Sequence, residues 1–413
     1  MRSSIYLLLL GTVGLSYQTS CSNQLDCRLN GVCVQGSCVC DPGWTSSNCG
    51  ALDIRPGPRS NGYNLTPSGT SSWGMKPMRD PKNPSVWRAF IAEMANHCTL
   101  NGWTPYSQVI RATSTSGPLG PYVKDTLIVS PFSHNPTTVW DEAEKNYILY
   151  HIGCPQNVGR TCRTYGFQCS VGNTNAGESG ISYRTSSDMY SWPYKGNYAI
   201  PGLPAGKWNS DTTNPSAWPL QANRYNIDGS HRCPGSDTLV TDNGQGILVA
   251  YRGSPYNQPW IEQIGLAKAQ GPGGPFTRLN NDQPLFNNSA EDPSVWRDKR
   301  GNWHLIMHAL DGGFRGAPNV GRHAYAESLE GPWYYDTETP AFTTTAQFDD
   351  GTSIVYAERE RPQLVFTDDG NMTPIVLTTG VVENLKTMVS YSLAVPIGDY
   401  HSLWNTTNCV APS

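Results

Sequence analysis

Short stretches in which apolar and polar residues alternate recur along most of the chain. The alternation has a period of two residues, which is typical of a half-buried β-strand and not of a helix. Most copies end in a turn made of glycine, proline and an aromatic residue, as at Gly331–Trp333. The five copies lie at residues 110–122, 181–194, 264–276, 323–333 and 389–393. The pattern therefore predicts a repeated unit made of strands.

A second repeated pattern is an opening strand with a proline near its start, followed by a strand-like apolar run. The five openings are Trp73–Pro77, Ser133–Pro136, Thr213–Pro215, Glu291–Pro293 and Glu360–Pro362. Successive openings lie roughly 60 to 80 residues apart, which is room for about four short strands with their loops. Residues 83–87 mimic the opening pattern, but too few residues separate them from the next strand. We therefore assign the first opening to Trp73–Pro77.

Five such repeats predict an all-β fold, a five-bladed β-propeller over residues 63–413. A radial arrangement of small sheets hides the strand edges, because every blade packs on its neighbours. The alternative is a β-sandwich in which the glycine-proline turns are coincidental. The 41 glycines, 32 prolines, 13 tryptophans and 21 tyrosines also favour an all-β class, since they are typical of many turns and aromatic-rich strands.

The first residues have the pattern of an export signal. Arg2 precedes an apolar run over residues 5–10, and small residues follow at Gly14 and Ser16. The apolar run is too short to cross a bilayer, which needs about 20 residues. We expect residues 1–16 to be a cleaved signal peptide, and the protein to be secreted, extracellular and without a membrane span.

Twelve cysteines in an exported chain indicate disulfides rather than metal thiolates. Six of them cluster after the signal: Cys21, Cys27, Cys33, Cys38, Cys40 and Cys49. Their spacing resembles the EGF-like module, which we place at residues 17–50, before a Pro/Gly-rich linker at residues 51–62. Such a short segment buries too little apolar surface to fold unaided, so we expect disulfides to stabilise it.

Spacing alone leaves the connectivity of these six cysteines open. The resemblance implies three pairs: Cys21–Cys33, Cys27–Cys38 and Cys40–Cys49. Calcium-binding members carry acidic residues before the first cysteine, where this chain has Gln18–Ser20, so we expect no bound calcium. We expect the module to be a spacer or adhesion module that could bind an extracellular protein partner. Outside it, Cys98 and Cys154 end equivalent strands of adjacent blades, which suggests that they pair.

Charge and motifs argue against several classes of function. The net charge is -4 with both signs interspersed, so no basic stripe can follow a nucleic acid. The sequence contains no glycine-rich phosphate cradle, no Gly-x-Ser-x-Gly elbow and no His-Glu-x-x-His motif, so nucleotide, serine-hydrolase and zinc-protease assignments have no basis. The four sequons support an extracellular location weakly, and they lie at Asn64, Asn287, Asn371 and Asn405.

Three stretches of the repeated unit resemble a known family. Glu291–Trp296, Trp303–His308 and Ser328–Trp333 are similar to the five-bladed propeller glycosidases of the arabinanase and β-xylosidase type, glycoside hydrolase family 43 and its relatives. Phe132–Pro136 looks closer to eukaryotic branches of that superfamily. The resemblance covers about residues 70–400 and implies a carbohydrate-active site on the propeller axis. We expect no cofactor and no metal, because no ligand cluster in the sequence argues for one.

Polar residues beside the opening prolines should gather at one face of the axis, where the innermost strands of all blades converge. Glycoside hydrolysis needs one carboxylic acid that protonates the leaving oxygen and one carboxylate that activates water or attacks the sugar. The candidate catalytic residues are Asp292, which we place first, Glu93 and Glu360. The candidate substrate-binding residues are His134, Asn135, Asn214, Glu291, His323, Arg361 and Trp73.

Blade one departs from the pattern of the family. Enzymes of this type usually take the base from an aspartate in the opening strand of blade one, where this chain has Trp73–Pro77. Blade two offers His134 and Asn135 instead of a carboxylate. Glu93 is the substitute that we consider, and its alternative role is a structural partner of Arg361 or Arg359. Two functions follow: hydrolysis of an extracellular poly- or oligosaccharide, or binding of extracellular glycan or matrix protein by a catalytically inactive propeller.

Overall fold

The computed structural model describes residues 20–141, 144–162, 180–193, 198–220, 246–255, 261–313, 316 and 319–404. These residues form a small N-terminal module and a five-bladed β-propeller, as predicted. The α-helices are single turns, α1 (Trp103–Tyr106) and α2 (Tyr400–Leu403), and none of the described helices could span a membrane. Further 3-10 turns lie at Thr66–Ser68, Ala95–His97, Leu100–Gly102 and Asn280–Asp282.

The N-terminal module, residues 20–50, is held by three disulfides. As predicted, Cys21 pairs with Cys33, Cys27 with Cys38 and Cys40 with Cys49. Two small hairpins lie in and just after the module, formed by β1 (Gly31–Val34), β2 (Ser37–Cys40), β3 (Trp44–Thr45) and β4 (Ala51–Leu52). Cysteine sulfurs make up the buried centre of the module. Covalent cross-links thus replace a large apolar core.

Each blade is an antiparallel sheet whose strands follow one another in sequence, except that the last strand of blade four pairs with the third. Blade one contains β5 (Ser72–Arg79), β6 (Trp87–Met94), β7 (Ser107–Ser114) and β8 (Val123–Val129). Blade two contains β9 (His134–Asp141), β10 (Asn146–Ile152), β11 (Gly180–Ser186) and β12 (Ile200–Pro201). Blade three contains β13 (Asp211–Pro219), β14 (Ile247–Ser254), β15 (Gln263–Ala269) and β16 (Thr277–Arg278).

Blades four and five complete the ring. Blade four contains β17 (Ala290–Arg297), β18 (Trp303–Ala309), β19 (Val320–Ala326), β20 (Tyr334–Tyr335) and β21 (Phe342–Thr343). A separate hairpin follows, formed by β22 (Thr345–Gln347) and β23 (Ser353–Val355). The strands described for blade five are β24 (Glu358–Phe366), β25 (Pro374–Val382) and β26 (Ser390–Pro396). Tyr63 forms an antiparallel bridge with Ser392 of β26, so the segment before blade one closes the ring.

The apolar runs that follow the openings form the second strands of the blades. Every residue of β18 and of β25 is buried, because these strands lie inside the blade and are covered on both faces by neighbouring blades. The first strands of neighbouring blades contact one another and so surround the axis. The sequence pattern therefore identified the strands that build the axis, including β5 as the opening of blade one.

One predicted disulfide is wrong. Cys98 pairs with Cys162, with Cα atoms 5.4 Å apart, and not with Cys154. The prediction treated the cysteines as ends of equivalent strands, but Cys98 lies in the loop after β6 and meets a partner in the loop after β10. Three other cysteines lie outside the described residues: Cys169, Cys233 and Cys409.

The first strand of every blade carries a β-bulge at the same place. One residue in each bulge has a positive φ between 51° and 62°. We call these five residues the bulge ring: Gly74, Asn135, Asn214, Asp292 and Arg361. In blades two to five the next residue is the opening proline, whereas in blade one it is Met75. The assignment of Pro77 as the matching proline of blade one was therefore out of register.

Arg361 crosses the propeller axis and contacts the other four blades. Its Nη2 donates to the carbonyl oxygens of Asn135, at 2.9 Å, and Pro215, at 2.8 Å. Its Nη1 lies 3.4 Å from Asp292 Oδ1, and its backbone N–H donates to Asp292 Oδ2. Its side chain runs so close to Gly74 that a Cβ there would lie 2.4 Å from Arg361 Cγ. Because Arg361 is 1% exposed, this side chain fills the axis.

The N-terminal module packs against blade four. Trp44 stacks on Trp296 with ring centroids 6.2 Å apart. At the edge of this contact, Arg300 of blade four forms an ion pair with Asp41 of the module at 2.5 Å. An apolar centre flanked by an ion pair is typical of a stable interface, so the module and the propeller form one packed unit.

A chain of two buried histidines lies beneath this interface. The side-chain amide of Asn30 donates to Cys49 O and faces His323 Nδ1 at 3.4 Å, which makes that nitrogen an acceptor. His323 Nε2 then donates to His304 Nδ1 at 3.0 Å, and His304 Nε2 faces Asp298 at 3.4 Å. This order of donors requires a neutral His323. Burial, the neighbouring His304 and the charge of Arg28 accordingly hold the pKa of His323 well below its usual value.

Acidification should weaken the packing of the module. The pKa of His323 is lower in the folded protein than in the unfolded chain, where it is about 6.5. Its contribution to stability is therefore complete above about pH 6.5 and is lost as the pH falls below that value. We expect the melting temperature of the wild type to fall more steeply between pH 7.5 and 5 than that of His323→Gln. Parallel curves in thermal unfolding experiments would show that His323 carries no such linkage.

Gly74→Ala should destabilise the axis strongly. The new methyl group would overlap the Arg361 stem, and alanine at a φ of 62° adds backbone strain, so we expect a loss of about 2–4 kcal/mol. Gly351→Ala is the matched control, since Gly351 has a φ of 80° but nothing lies within 4 Å of the point that a Cβ would occupy. Its cost should be only about 1–2 kcal/mol. Equal losses for the two variants in denaturant titrations would argue against a packed axis.

Candidate active site

A cavity of about 700 Å³ opens on the bulge ring. Blades one, two and five contribute an apolar side, which consists of Trp73, Leu100, Trp103, Ile152 and Met388. Blades three, four and five contribute a charged side, which consists of Arg252, Glu262, Glu291, Glu358 and Glu360. His134, Asn135, Asn214 and Asp292 also line it. A cavity with aromatic surface and convergent polar groups can hold a small polar ring such as a sugar.

Asp292 is the only carboxylate in the bulge ring, and it is 2% exposed. Arg361 contacts both of its oxygens, and the side-chain amide of Asn135 lies 3.4 Å from Oδ1. Burial raises the pKa of Asp292 to about 6, while the charge of Arg361 opposes this effect. Asp292 is therefore ionised at neutral pH and becomes protonated in mild acid.

Two glutamates of the cavity share one imidazole. His308 Nδ1 lies 3.2 Å from Glu291 Oε1 and 3.5 Å from Glu360 Oε1. Its Nε2 lies 2.8 Å from the side-chain oxygen of Asn319, whose amide nitrogen donates to Ala357 O. Both ring nitrogens therefore face acceptors, so both carry hydrogen and the ring is a cation.

The charges in this group push the pKa values of the two glutamates apart. Burial alone would lower the pKa of His308, but the nearby carboxylates outweigh it and raise that pKa to about 10. Burial likewise favours a neutral Glu291, yet the hydrogen bond and charge of His308 lower its pKa. Burial raises the pKa of Glu360 well above its usual value, and the negative charges around it add to this despite the opposing attraction of His308. Burial thus favours the protonated form of Glu360, whereas His308 favours the ionised form of Glu291.

The same three side chains have the composition of a metal site. The ligand atoms of Glu291, His308 and Glu360 lie within 4.8 Å of one another. Asn319 fixes a hydrogen on His308 Nε2, so Nδ1 either donates to the two glutamates as part of a cationic ring or offers its lone pair to a bound cation.

Two predicted site residues lie away from the cavity. Glu93, on β6, accepts hydrogen bonds from Tyr63 at 2.5 Å and Gln108 at 2.9 Å, and forms an ion pair with Lys124 at 2.6 Å. These contacts join strands within blade one to the segment that closes the ring. His323 packs under the N-terminal module, as described above. The remaining predicted residues line the cavity, except Arg361, which lies in its floor.

Several cavity residues were not identified from the sequence. Arg252 pairs with Asp211 at 2.7 Å and with Glu262 at 3.6 Å. Arg252 lies opposite Thr213 in the sheet, as His308 lies opposite Glu291, so strand register is a signal that could have found it. No repeated pattern marks Trp103, because it belongs to a loop.

No protein-family model matches the sequence, and a comparison with curated proteins finds no match. Solved structures match over most of the chain. Zg3597, a family 117 glycoside hydrolase produced by the marine bacterium Zobellia galactanivorans, is 15% identical with a TM-score of 0.53, covering 87% of this chain and 91% of that chain. Another structure, described as a glycoside hydrolase, is 10% identical with a TM-score of 0.53, covering 83% and 92%. The chain thus has the fold of the five-bladed propeller glycoside hydrolases.

Proposed function

We propose that the protein hydrolyses glycosidic bonds in an extracellular poly- or oligosaccharide. The observation that carries the proposal is the pair of glutamates that share His308 in the axial cavity, whose pKa values are shifted in opposite directions. Two neighbouring carboxyl groups with pKa values shifted in opposite directions can act as the acid and the base in catalysis at neutral pH. The structural neighbours support the same chemistry, because those described above are glycoside hydrolases.

Glu360 is the proton donor in this proposal. Its neutral carboxyl protonates the glycosidic oxygen as the bond to the sugar breaks. Asp292 is the ionised carboxylate that activates water or attacks the sugar, and Glu291 with His308 sets the protonation state of Glu360. The apolar side of the cavity, with Trp73 and Trp103, packs on the sugar ring.

Asn135 contributes a binding group. Its side-chain nitrogen donates to Asn214 Oδ1 at 2.9 Å and lies near Asp292. Its buried Oδ1 has no hydrogen-bond partner among the described residues. An unpaired buried acceptor in a cavity wall is expensive unless a ligand or water satisfies it. A sugar hydroxyl can donate to this oxygen.

Glu360→Gln should abolish most hydrolysis. The amide cannot protonate a leaving oxygen, so release of reducing sugar from a panel of polysaccharides should fall by about 100-fold or more. Glu330→Gln, on an exposed turn of blade four, is the matched control and should retain full activity. Equal activity of the two variants would remove Glu360 from the chemistry.

The pH profile should identify the second carboxylate. Asp292 must be ionised to act, so kcat/KM should fall as the pH decreases through about 6. On the alkaline side, activity should persist until Glu360 loses its proton, well above the usual range of a glutamate. An acidic limb below pH 4.5 would instead assign the role to Glu291, whose pKa lies below that value.

A catalytically inactive glycan-binding propeller is the second candidate. The observation in its favour is the bulge ring, in which Gly74, Asn135 and Asn214 bring no ionisable group and Asp292 is paired with Arg361. Saturable binding of an oligosaccharide without any release of reducing sugar would support this function over hydrolysis.

We also propose that the protein is secreted and glycosylated. The export-like start, the disulfides and the exposed positions of Asn64, Asn287 and Asn371 support this location. An extracellular protein partner of the N-terminal module stays a prediction. After expression in a eukaryotic secretory host, we expect to recover the protein from the culture medium. Its N-terminus should lie near Tyr17, and its mass should fall when N-glycans are removed enzymatically. Retention inside the cell would contradict secretion.

A further inference from the structure

The loop between β6 and β7 supplies much of the apolar side of the cavity. Leu100, Asn101 and Trp103 line the cavity and lie close together in this loop, residues 95–106. Trp103 packs on His134, with ring centroids 4.9 Å apart, and on Phe132, at 5.9 Å. The position of this loop therefore decides where an aromatic surface faces the carboxyl groups.

The covalent bond and most side-chain hydrogen bonds of this loop lead to the segment after β10. Cys98 is bonded to Cys162, and Cys98 is 1% exposed. Asn96 Nδ2 donates to Gly159 O at 2.9 Å, and the hydroxyl of Tyr106 donates to the carbonyl of Thr161. The disulfide is the covalent member of this set.

The loop has little regular structure, although Leu100 and Tyr106 pack in an apolar cluster with residues of blades one and five. It consists of single 3-10 and α turns, and Asn96 and His97 both have φ of 57°. One backbone hydrogen bond, from Leu100 N–H to Met388 O at 3.0 Å, joins it to blade five. A cross-link between two such loops removes many of the alternative conformations that each could adopt.

We propose that the Cys98–Cys162 disulfide is a positioning element of the glycan-binding cavity, which holds Leu100 and Trp103 against the sugar. That a glycan is the ligand rests on the proposed function, whereas the positioning of the loop by the disulfide does not. The disulfide lies outside the acid-base group, so its loss should weaken sugar binding and leave the chemical step intact. Binding made in the ground state and the transition state alike appears in KM and not in kcat.

The test compares the double variant Cys98→Ser/Cys162→Ser with the wild type, using the full chain and the oligosaccharide that the wild type cleaves fastest. We expect KM to rise about tenfold, the value of one good packing contact, with kcat within about twofold. Trp103→Ala should reproduce the rise in KM with the disulfide intact. Asn96→Ala, which removes one hydrogen bond between the same segments, should have a much smaller effect. An unchanged KM, or a fall in kcat alone, would overturn the inference while leaving the proposed function in place.

Hydrogen exchange gives a readout that needs no substrate. In the double variant, the amides of Leu100 and Gly102 should exchange at least about tenfold faster, while β18 and β25 keep their protection. Unchanged exchange in the loop would overturn the positioning role even if the wild type cleaves no glycan. If the wild type neither cleaves nor binds any glycan but the loop exchange rises, the proposed function fails and the positioning role stands.

Discussion

The guanidinium of Arg361 on the propeller axis is the interaction on which the arrangement of the site depends. It hydrogen-bonds to backbone carbonyls of blades two and three, pairs with Asp292 of blade four and lies against Gly74 of blade one. A buried charge is tolerated only where its donors are satisfied, so the surrounding strands must keep these distances. The bulges place one residue of every blade within reach of this group. The cavity floor is thus built by the same contacts that hold the blades in register.

Much of this fold could be predicted from residue patterns, because opening prolines and alternating strands recur once in each blade. The register of blade one could not be predicted, because the residue after its bulge is Met75 and the nearby Pro77 was taken for the opening proline. The Cys98–Cys162 disulfide was not predicted, and Cys154 was chosen instead, because the loops do not share the repeated sequence pattern of the strands. At the site, residues next to the opening prolines were found, such as Glu291 and Glu360. Arg252 and Trp103 were not, because one comes from a second strand and the other from a loop.

Electrostatics explains why several acidic residues can share a small cavity. His308 carries a positive charge that offsets the charge of Glu291, and Arg252 lies beside Asp211 and Glu262. Burial and the neighbouring negative charges favour a protonated Glu360, which adds no further charge. This division of protons follows from burial and like-charge repulsion. It places an acid and ionised carboxylates around one space that also offers aromatic surface, which is the combination that glycoside hydrolysis needs.

The proposed chemistry requires Glu360 to be a neutral carboxylic acid at neutral pH. Carbon-13 NMR of protein labelled at the glutamate side-chain carboxyl reports this state directly, and comparison with Glu360→Gln assigns the signal. We expect one carboxyl signal at the position of a protonated acid at pH 7, which moves only at a pH well above the usual glutamate range and is missing from the variant. A spectrum in which every glutamate carboxyl is ionised at pH 7 would contradict it.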